Sequence, residues 1–233
     1  MGPRKLVMCV EGRGDLRSVP VLVRRILKER HDGYWEHLIV DPIDPLVLRG
    51  LHNITGTAEK QKNWLNKLGV ACNRGNVGAV LLVLDGDSKQ FEGQPFCPVS
   101  AACALAERAK SVRAGEAFSL ACVFACKEFE SWLIAGIESL AGKKIGDRAG
   151  VKPATFAPEF DIEARRAAKE WLSDQMVNGY NPATDQLPLA EMVDLNLIRN
   201  RRLNSFERLE HAVVELVEAM RTGRHISSPA RHG

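Results

Sequence analysis

The strongest constraint on this chain is the run Val80-Leu81-Leu82-Val83-Leu84-Asp85-Gly86-Asp87. Five consecutive aliphatic residues, rich in branched side chains and too few for an ordinary helix, predict a strand buried on both faces. Such strands lie in the middle of parallel sheets. The run ends in two carboxylates spaced i, i+2. With the backbone still extended, the two-residue period points Asp85 and Asp87 the same way, and Gly86 lets the backbone bend towards a ligand. Two like charges about 4 Å apart repel by roughly 4 kcal/mol at a near-surface effective dielectric. A cation or a proton has to relieve them. The plain alternative is a turn in which one Asp caps the next segment, because Asp-Gly is a common turn pair.

A chain of 233 residues, 45% hydrophobic and 26% charged, can build one sizeable core or two modest ones and is far from a disordered composition. The net charge of +3 permits a polyanionic partner without arguing for one. No apolar run approaches the roughly 20 residues of a membrane span, and the apolar stretch at 6–10 is too short for a secretory signal. The six cysteines include no Cys-x-x-Cys pair, and Cys9, Cys122 and Cys126 lie in or beside apolar runs where a thiol packs as a small hydrophobe. The expectation is a soluble, reduced, cytoplasmic protein without membrane association.

Residues 5–10 read as a first strand ending at Glu11-Gly12. Asp15 or Ser18 then caps a helix with Pro20 in its first turn and Val21, Leu22, Ile26 and Leu27 on its apolar face. A second strand is predicted at 35–40, a loop at 42–56, a helix at 58–68 capped by Thr57, a helix at 99–113 and a strand at 118–125. A further helix runs to about 140. Strands separated by helices of ten or more residues imply βαβ units and a parallel sheet. From 141 onward glycines and prolines punctuate a connection, after which helices are expected at 161–176, 184–197 and 205–221, the last with Ser205 as N-cap. Residues 225–233 read as a loose tail. The domain division is an α/β catalytic domain over 1–140 and a helical C-terminal region over 141–233.

Open parallel sheets bind ligands beyond the carboxyl edge of their strands. Three predicted strands leave acids there: Glu11 after the first, Asp85 and Asp87 after the central one, Glu128 and Glu130 after the strand at 118–125. Each acid alone has an innocent explanation, as a solvent-facing or capping residue. Together, with no His or Cys in these clusters, they favour a hard ion, Mg2+ or Mn2+. Four or five carboxylates suit two ions about 3.5–4 Å apart, the arrangement that activates water and stabilises a leaving oxygen.

Glu11-Gly12 after the first strand, Asp85-Gly86-Asp87 after a hydrophobic strand and the helix between them resemble the Toprim domain of topoisomerases, bacterial primases and the overcoming-lysogenization-defect (OLD) nucleases. A longer pattern is similar to a Toprim-like bacterial family of uncharacterised function. It comprises Val10-Glu11-Gly12, Asp15, Val19-Pro20, Leu82 to Asp87, Lys127-Glu128-Phe129-Glu130-Ser131-Trp132 and Ser205-Phe206. Its members often sit beside ABC-type ATPases in phage-defence operons. The resemblance implies a Toprim-like parallel sheet flanked by helices, followed by a helical C-terminal region. It implies Glu11 as acid/base or metal ligand, Asp85 and Asp87 as metal ligands, and Glu128 and Glu130 at second-metal positions. Glu128-x-Glu130 cannot put both carboxylates on one helical face, so one of the two is expected only to pack or cap.

Basic groups would hold a nucleic-acid backbone. Lys127 adjoins the acids and could contact the scissile phosphate, while Arg199, Arg201 and Arg202 precede Ser205, whose helix N-terminus could bind a phosphate. Lys152 reads as solvated surface, and Trp132 and Trp171 as core. The expected function is a metal-dependent nuclease with Glu11, Asp85, Asp87 and Lys127 in the reaction. Its partners would be DNA or RNA and a possible ABC-type ATPase, and a homo-oligomer is compatible. The alternatives are a non-catalytic Toprim-fold subunit that binds nucleic acid or an ATPase, and a haloacid-dehalogenase-like phosphatase. The phosphatase would place Asp-x-Asp after its first strand and leave Glu11 unused. A P-loop ATPase fails, because no Gly-x4-Gly-Lys-Ser/Thr occurs.

Overall fold

The computed structural model describes residues 2–147, 150–155 and 158–230. β1 (Arg4–Val10) leads into α1 (Asp15–Arg30), β2 (Leu38–Val40) and β3 (Leu46–Val47), and α2 (Ala58–Cys72) precedes β4 (Val77–Asp85). A hairpin of β5 (Gln90–Phe91) and β6 (Gln94–Pro95) is followed by α3 (Pro98–Ala109), β7 (Ser119–Ala125) and α4 (Glu130–Ala135). The C-terminal part adds α5 (Ala168–Gln175), α6 (Pro182–Met192), α7 (Leu195–Asn200), α8 (Asn204–Thr222) and β8 (Ser227–Ser228).

The main sheet runs β2-β1-β4-β7-β8, with β3 beside the last residues of β1, and its pairings are parallel. Alternation along each strand explains the unbroken aliphatic runs. Leu6, Met8, Val10, Leu81, Val83 and Val123 face one layer, built from α1, α4 and the C-terminal helices. Val7, Cys9, Leu82, Leu84, Leu120 and Phe124 face the other, built from α2 and α3. Both faces are covered, so neither needs polar residues. Burying each such side chain contributes about 1.5–3 kcal/mol. The chain leaves β1 on one side towards β2 and returns on its other side as β4. The carboxyl ends of β1 and β4 therefore form a switch point in strand order, where open sheets hold ligands.

Several elements differ from the sequence expectation for local reasons. The helix expected at 161–176 starts only at Ala168, because Ala167 is left-handed at φ 65° and Asp161 Oδ1 accepts from the N–H groups of Glu163 and Ala164. The helix expected at 184–197 splits after Met192, where Val193 is extended and Asp194 accepts from Asn196 N–H to start α7. Within the expected loop at 42–56 lies the short strand β3. The tail is not wholly loose: Ser227 and Ser228 pair with Leu120 and Ala121 at the sheet edge, while 231–233 lie outside the described residues. No helix among the described residues is long and apolar enough to cross a membrane.

Candidate active site

Glu11 is the first residue past β1, and Asp85 is the last of β4. Their strands are neighbours in register, Val10 beside Val83, so the two acids meet at the switch point. Glu11 Oε2 accepts the backbone N–H of Asp85 at 2.9 Å. Asp85 Oδ1 in turn accepts the backbone N–H of Phe129 at 2.9 Å, tying the end of β4 to the turn after β7. Gly86 makes this junction possible. Its N–H donates to Ala125 O at 2.8 Å, and a β-carbon there would stand 2.7 Å from that same carbonyl oxygen. Gly50, at φ 99°, is the second such position, since a β-carbon on it would lie 2.9 Å from the His52 ring and 3.5 Å from Glu11 Oε1.

Two further acids complete the rim. Asp15, at the start of α1, accepts from Gly12 N–H and from the Gln186 side chain of α6, each at 2.8 Å, which fixes the loop after β1. Glu130 is almost fully buried and accepts the Tyr180 hydroxyl at 3.0 Å. The balancing cation is Lys169 of α5, 3.3 Å from Glu128 and 3.6 Å from Glu130. Both glutamates reach it because α4 begins at Glu130, leaving Glu128 in the preceding turn. The limit set by a single helical face therefore does not apply to this pair, one of which lies outside the helix.

The electrostatics follow from this crowding. Burial pushes the Glu11 carboxyl up to about 7, with the charges of Asp87 and Asp15 adding to the rise and the Asp85 N–H and Lys169 opposing it. Burial also lifts Asp85 well above the usual carboxylate range, reinforced by Asp15, Glu11 and Glu130. Asp15 and Glu130 are raised chiefly by burial as well. The Lys169 ammonium is held protonated, because Glu130, Glu128 and Asp85 together outweigh its desolvation. Asp87 is exposed, and its backbone carbonyl accepts from Arg166 at 2.9 Å. Lys127 is half-buried just beyond β7.

The predicted phosphate cluster is arranged differently. Arg199 binds Glu29, at the last turn of α1, and Glu210, each at 2.7 Å. With Asp15 at the other end of that helix, about 20 Å separates Arg199 from the acids. Arg201 pairs with Glu138 at 3.4 Å, and Arg202 stands exposed after α7. Ser205 is not the N-cap: α8 starts at Asn204, and the Ser205 hydroxyl accepts from Trp132 Nε1 at 2.8 Å. The helix N-terminus is filled by Glu163, which accepts from Asn204 N–H at 3.0 Å and Ser205 N–H at 2.8 Å. Trp132 is core, and Trp171 packs on the core's margin against Phe160. Lys152, in the connection, donates to Asp174 O in the last turn of α5.

Sequence reasoning missed Lys169, Tyr180 and Gln186, and read Asp15 as a helix cap. The first three come from helices or turns far along the chain, with no spacing that ties them to Glu11 or Asp85.

Among the described residues, no group of three or more His, Cys, Asp or Glu side chains converges as a metal-ligand set. Glu11 and Asp85 still fit a hard divalent ion, which commonly takes one or two protein carboxylates and fills its shell with water and phosphate oxygens. Each keeps a second carboxylate oxygen beyond the one bound to a backbone N–H. The raised carboxyls are the groups whose ionisation a cation would favour.

No curated protein and no solved structure matches the chain. One family model, described as a domain of unknown function (DUF4276), matches residues 10–213, from the end of β1 well into α8. The match takes in Glu11, Asp15, Asp85, Asp87, Glu128, Glu130 and Lys169 together, and the chain belongs to the DUF4276 family.

Proposed function

We propose that this chain is a Mg2+- or Mn2+-dependent phosphodiesterase, a nuclease acting on DNA or RNA. The observation that carries the reading is the 2.9 Å contact between Glu11 and Asp85 N–H, which gathers acids from two strands at the switch point of a parallel sheet. The resemblance of Glu11-Gly12 and Asp85-Gly86-Asp87 to the Toprim domain and the OLD nucleases supports it. An ABC-type ATPase partner in phage defence belongs to the same reading.

Glu11, held at the strand edge by Asp85 N–H with its second carboxylate oxygen outside that bond, is placed to take the proton of a water attacking phosphorus in line. Asp85, fixed by Phe129 N–H, holds its carboxylate in one orientation beside Glu11. Lys169 and Lys127 offset the negative charge that builds on the phosphoryl oxygens. A divalent ion held by Glu11 and Asp85 would supply Lewis-acid polarisation of the phosphate. The engagement of Glu128 and Glu130 with Lys169 favours one ion over two. Incubating the protein with Mn2+ and plasmid DNA or transfer RNA, beside an Asp85→Asn control and a chelator control, tests the reading. Cleavage lost in both controls supports it.

The second reading is a non-catalytic nucleic-acid-binding or ATPase-binding subunit. What favours it is Lys169, which already neutralises Glu128 and Glu130 without any ion. Nucleic-acid binding with neither Mn2+ binding nor cleavage would select it. Turnover of p-nitrophenyl phosphate in place of nucleic acid would select a phosphatase.

A further inference from the structure

The cations of α1 fall into two sets. Arg25 and Arg30 serve the fold: the first donates to Ala190 O at 2.7 Å and Val193 O at 2.6 Å, and the second pairs with Glu210. Arg17, Arg24 and Lys28 are exposed, and their side chains have no hydrogen-bond or ion-pair partner among the described residues. At 3.6 residues per turn, positions 17, 24 and 28 fall within about 20° of one line along the helix. The helix has two acids, and both are engaged elsewhere, Asp15 with Gly12 and Gln186 and Glu29 with Arg199. The row is therefore all positive over about 16 Å of helix. The groove beside Arg17 and Arg24 also carries Asp44 and Glu191, and neither comes within ion-pair distance of those arginines.

The row leads to the catalytic rim. Asp15 and Arg17 share the first turn of α1, and Arg13, also exposed and unpaired among the described residues, lies two positions after Glu11. Arg49 donates its backbone N–H to Glu11 O at 2.9 Å, and its guanidinium is exposed and unpaired among the described residues. A row of like charges left without acids attracts a polyanion. One strand of a duplex presents a phosphate about every 3.4 Å along its axis, so the row spans about five of them. Single strands are held largely by stacking their bases on aromatic side chains, and α1 contains no aromatic residue. A straight cationic row without aromatics fits a duplex backbone.

We propose that the outer face of α1 is the track for the backbone of a nucleic-acid duplex: phosphates of one strand lie along Lys28, Arg24 and Arg17 and pass Arg13 and Arg49 to reach Glu11 and Asp85. That the polyanion is nucleic acid rests on the phosphodiesterase reading; that this face binds a polyanion rests on its unpaired cations.

The test is fluorescence anisotropy on the full chain in EDTA, across a range of salt concentrations. The probes are duplex DNA and duplex RNA of about 20 base pairs, with one strand of each alone. Arg17→Gln/Arg24→Gln keeps the parent's melting temperature, since both side chains are exposed and unpaired. It lowers the slope of log affinity against log salt by about 2 for a duplex. Lys110→Gln/Arg113→Gln removes the same two charges beyond α3, on the other sheet face, and leaves the slope unchanged. Arg24→Gln alone, with half the effect, is read should the double variant unfold. No duplex binding by the parent, an unchanged slope in the α1 variants, an equal fall in the control, or tighter binding of the single strands overturns the proposal. Cleavage of duplex with Mn2+ separates it from the reading on which it rests. Duplex cut while the α1 variants keep the parent slope sinks the track and leaves the nuclease standing. Slopes that fall as stated with no duplex or single strand cut leave the track standing and sink the nuclease.

Discussion

The Glu11 carboxylate accepts the backbone N–H of Asp85 at 2.9 Å, so a side chain from the end of β1 fixes the backbone at the end of β4. One hydrogen bond thus does two things. It holds adjacent strand ends in register, and it keeps two acids together where their ionisation is unfavourable. The consequences are open to measurement.

The first concerns pH. Glu11 is held up to about 7 in the folded chain against an ordinary value of 4.5. Raising an acid's folded value means that the unfolded chain loses its proton first as pH rises. Stability contributed by Glu11 is therefore full below about 4.5 and is lost as pH climbs through 7, by on the order of 2 kcal/mol once partial exposure is allowed for. Metal-free protein melted at pH 5 and pH 8 should show this fall, and Glu11→Gln should show a smaller one. Equal slopes for the two proteins would contradict the shift.

Lys169 is the cation that keeps Glu128 and Glu130 tolerable at the rim. Lys169→Met leaves the almost fully buried Glu130 without its counter-charge. Because the lysine is itself 42% exposed, the loss should fall to about 1–3 kcal/mol, less than for a fully buried pair. Urea denaturation at pH 7.5 reads this directly, and added Mn2+ should restore part of it. A variant as stable as the parent would show that Lys169 is ordinary surface.

Gly86→Ala brings a β-carbon to 2.7 Å from the Ala125 carbonyl, which is backbone and cannot swing aside. The strand ends must separate, at a cost of about 1–3 kcal/mol. Cleavage should fall further than stability does, because Asp85 moves with the strand end. Unchanged stability and activity would mean that the junction between β4 and β7 is looser than described.

Arg199 serves the fold. Arg199→Ala strips Glu210, 5% exposed, of one of its two arginines and leaves Arg30 in place. The expected loss is about 1–2 kcal/mol, with no change in the salt dependence of nucleic-acid binding. A shallower salt slope would return Arg199 to the phosphate contacts that its place in the sequence suggested.

The rim acids were legible because strands announce themselves. A buried aliphatic run followed by a carboxylate marks a strand end, and a parallel sheet brings strand ends to one edge. That logic located Glu11, Asp85 and the Glu128–Glu130 turn. It could not locate Lys169 or Tyr180, whose arrival depends on how a loop-rich connection and short helices fold back over one sheet face. It misread Arg199 and Ser205 because a basic run before a helix looks the same whether its partners are phosphates or the chain's own Glu29, Glu210 and Glu163. The split near Asp194 was hidden for a similar reason, since an Asp that starts a new helix is indistinguishable in sequence from one exposed within a longer helix.

The most direct test is isothermal titration of Mn2+ into the metal-free protein at pH 7.5, comparing the parent chain with Asp85→Asn and Glu11→Gln. Binding is expected with proton release, as the raised carboxyls lose their protons to the buffer on taking up the ion, and with loss of that binding in either variant. Binding that persists unchanged in both variants, or no binding to the parent chain, would contradict it.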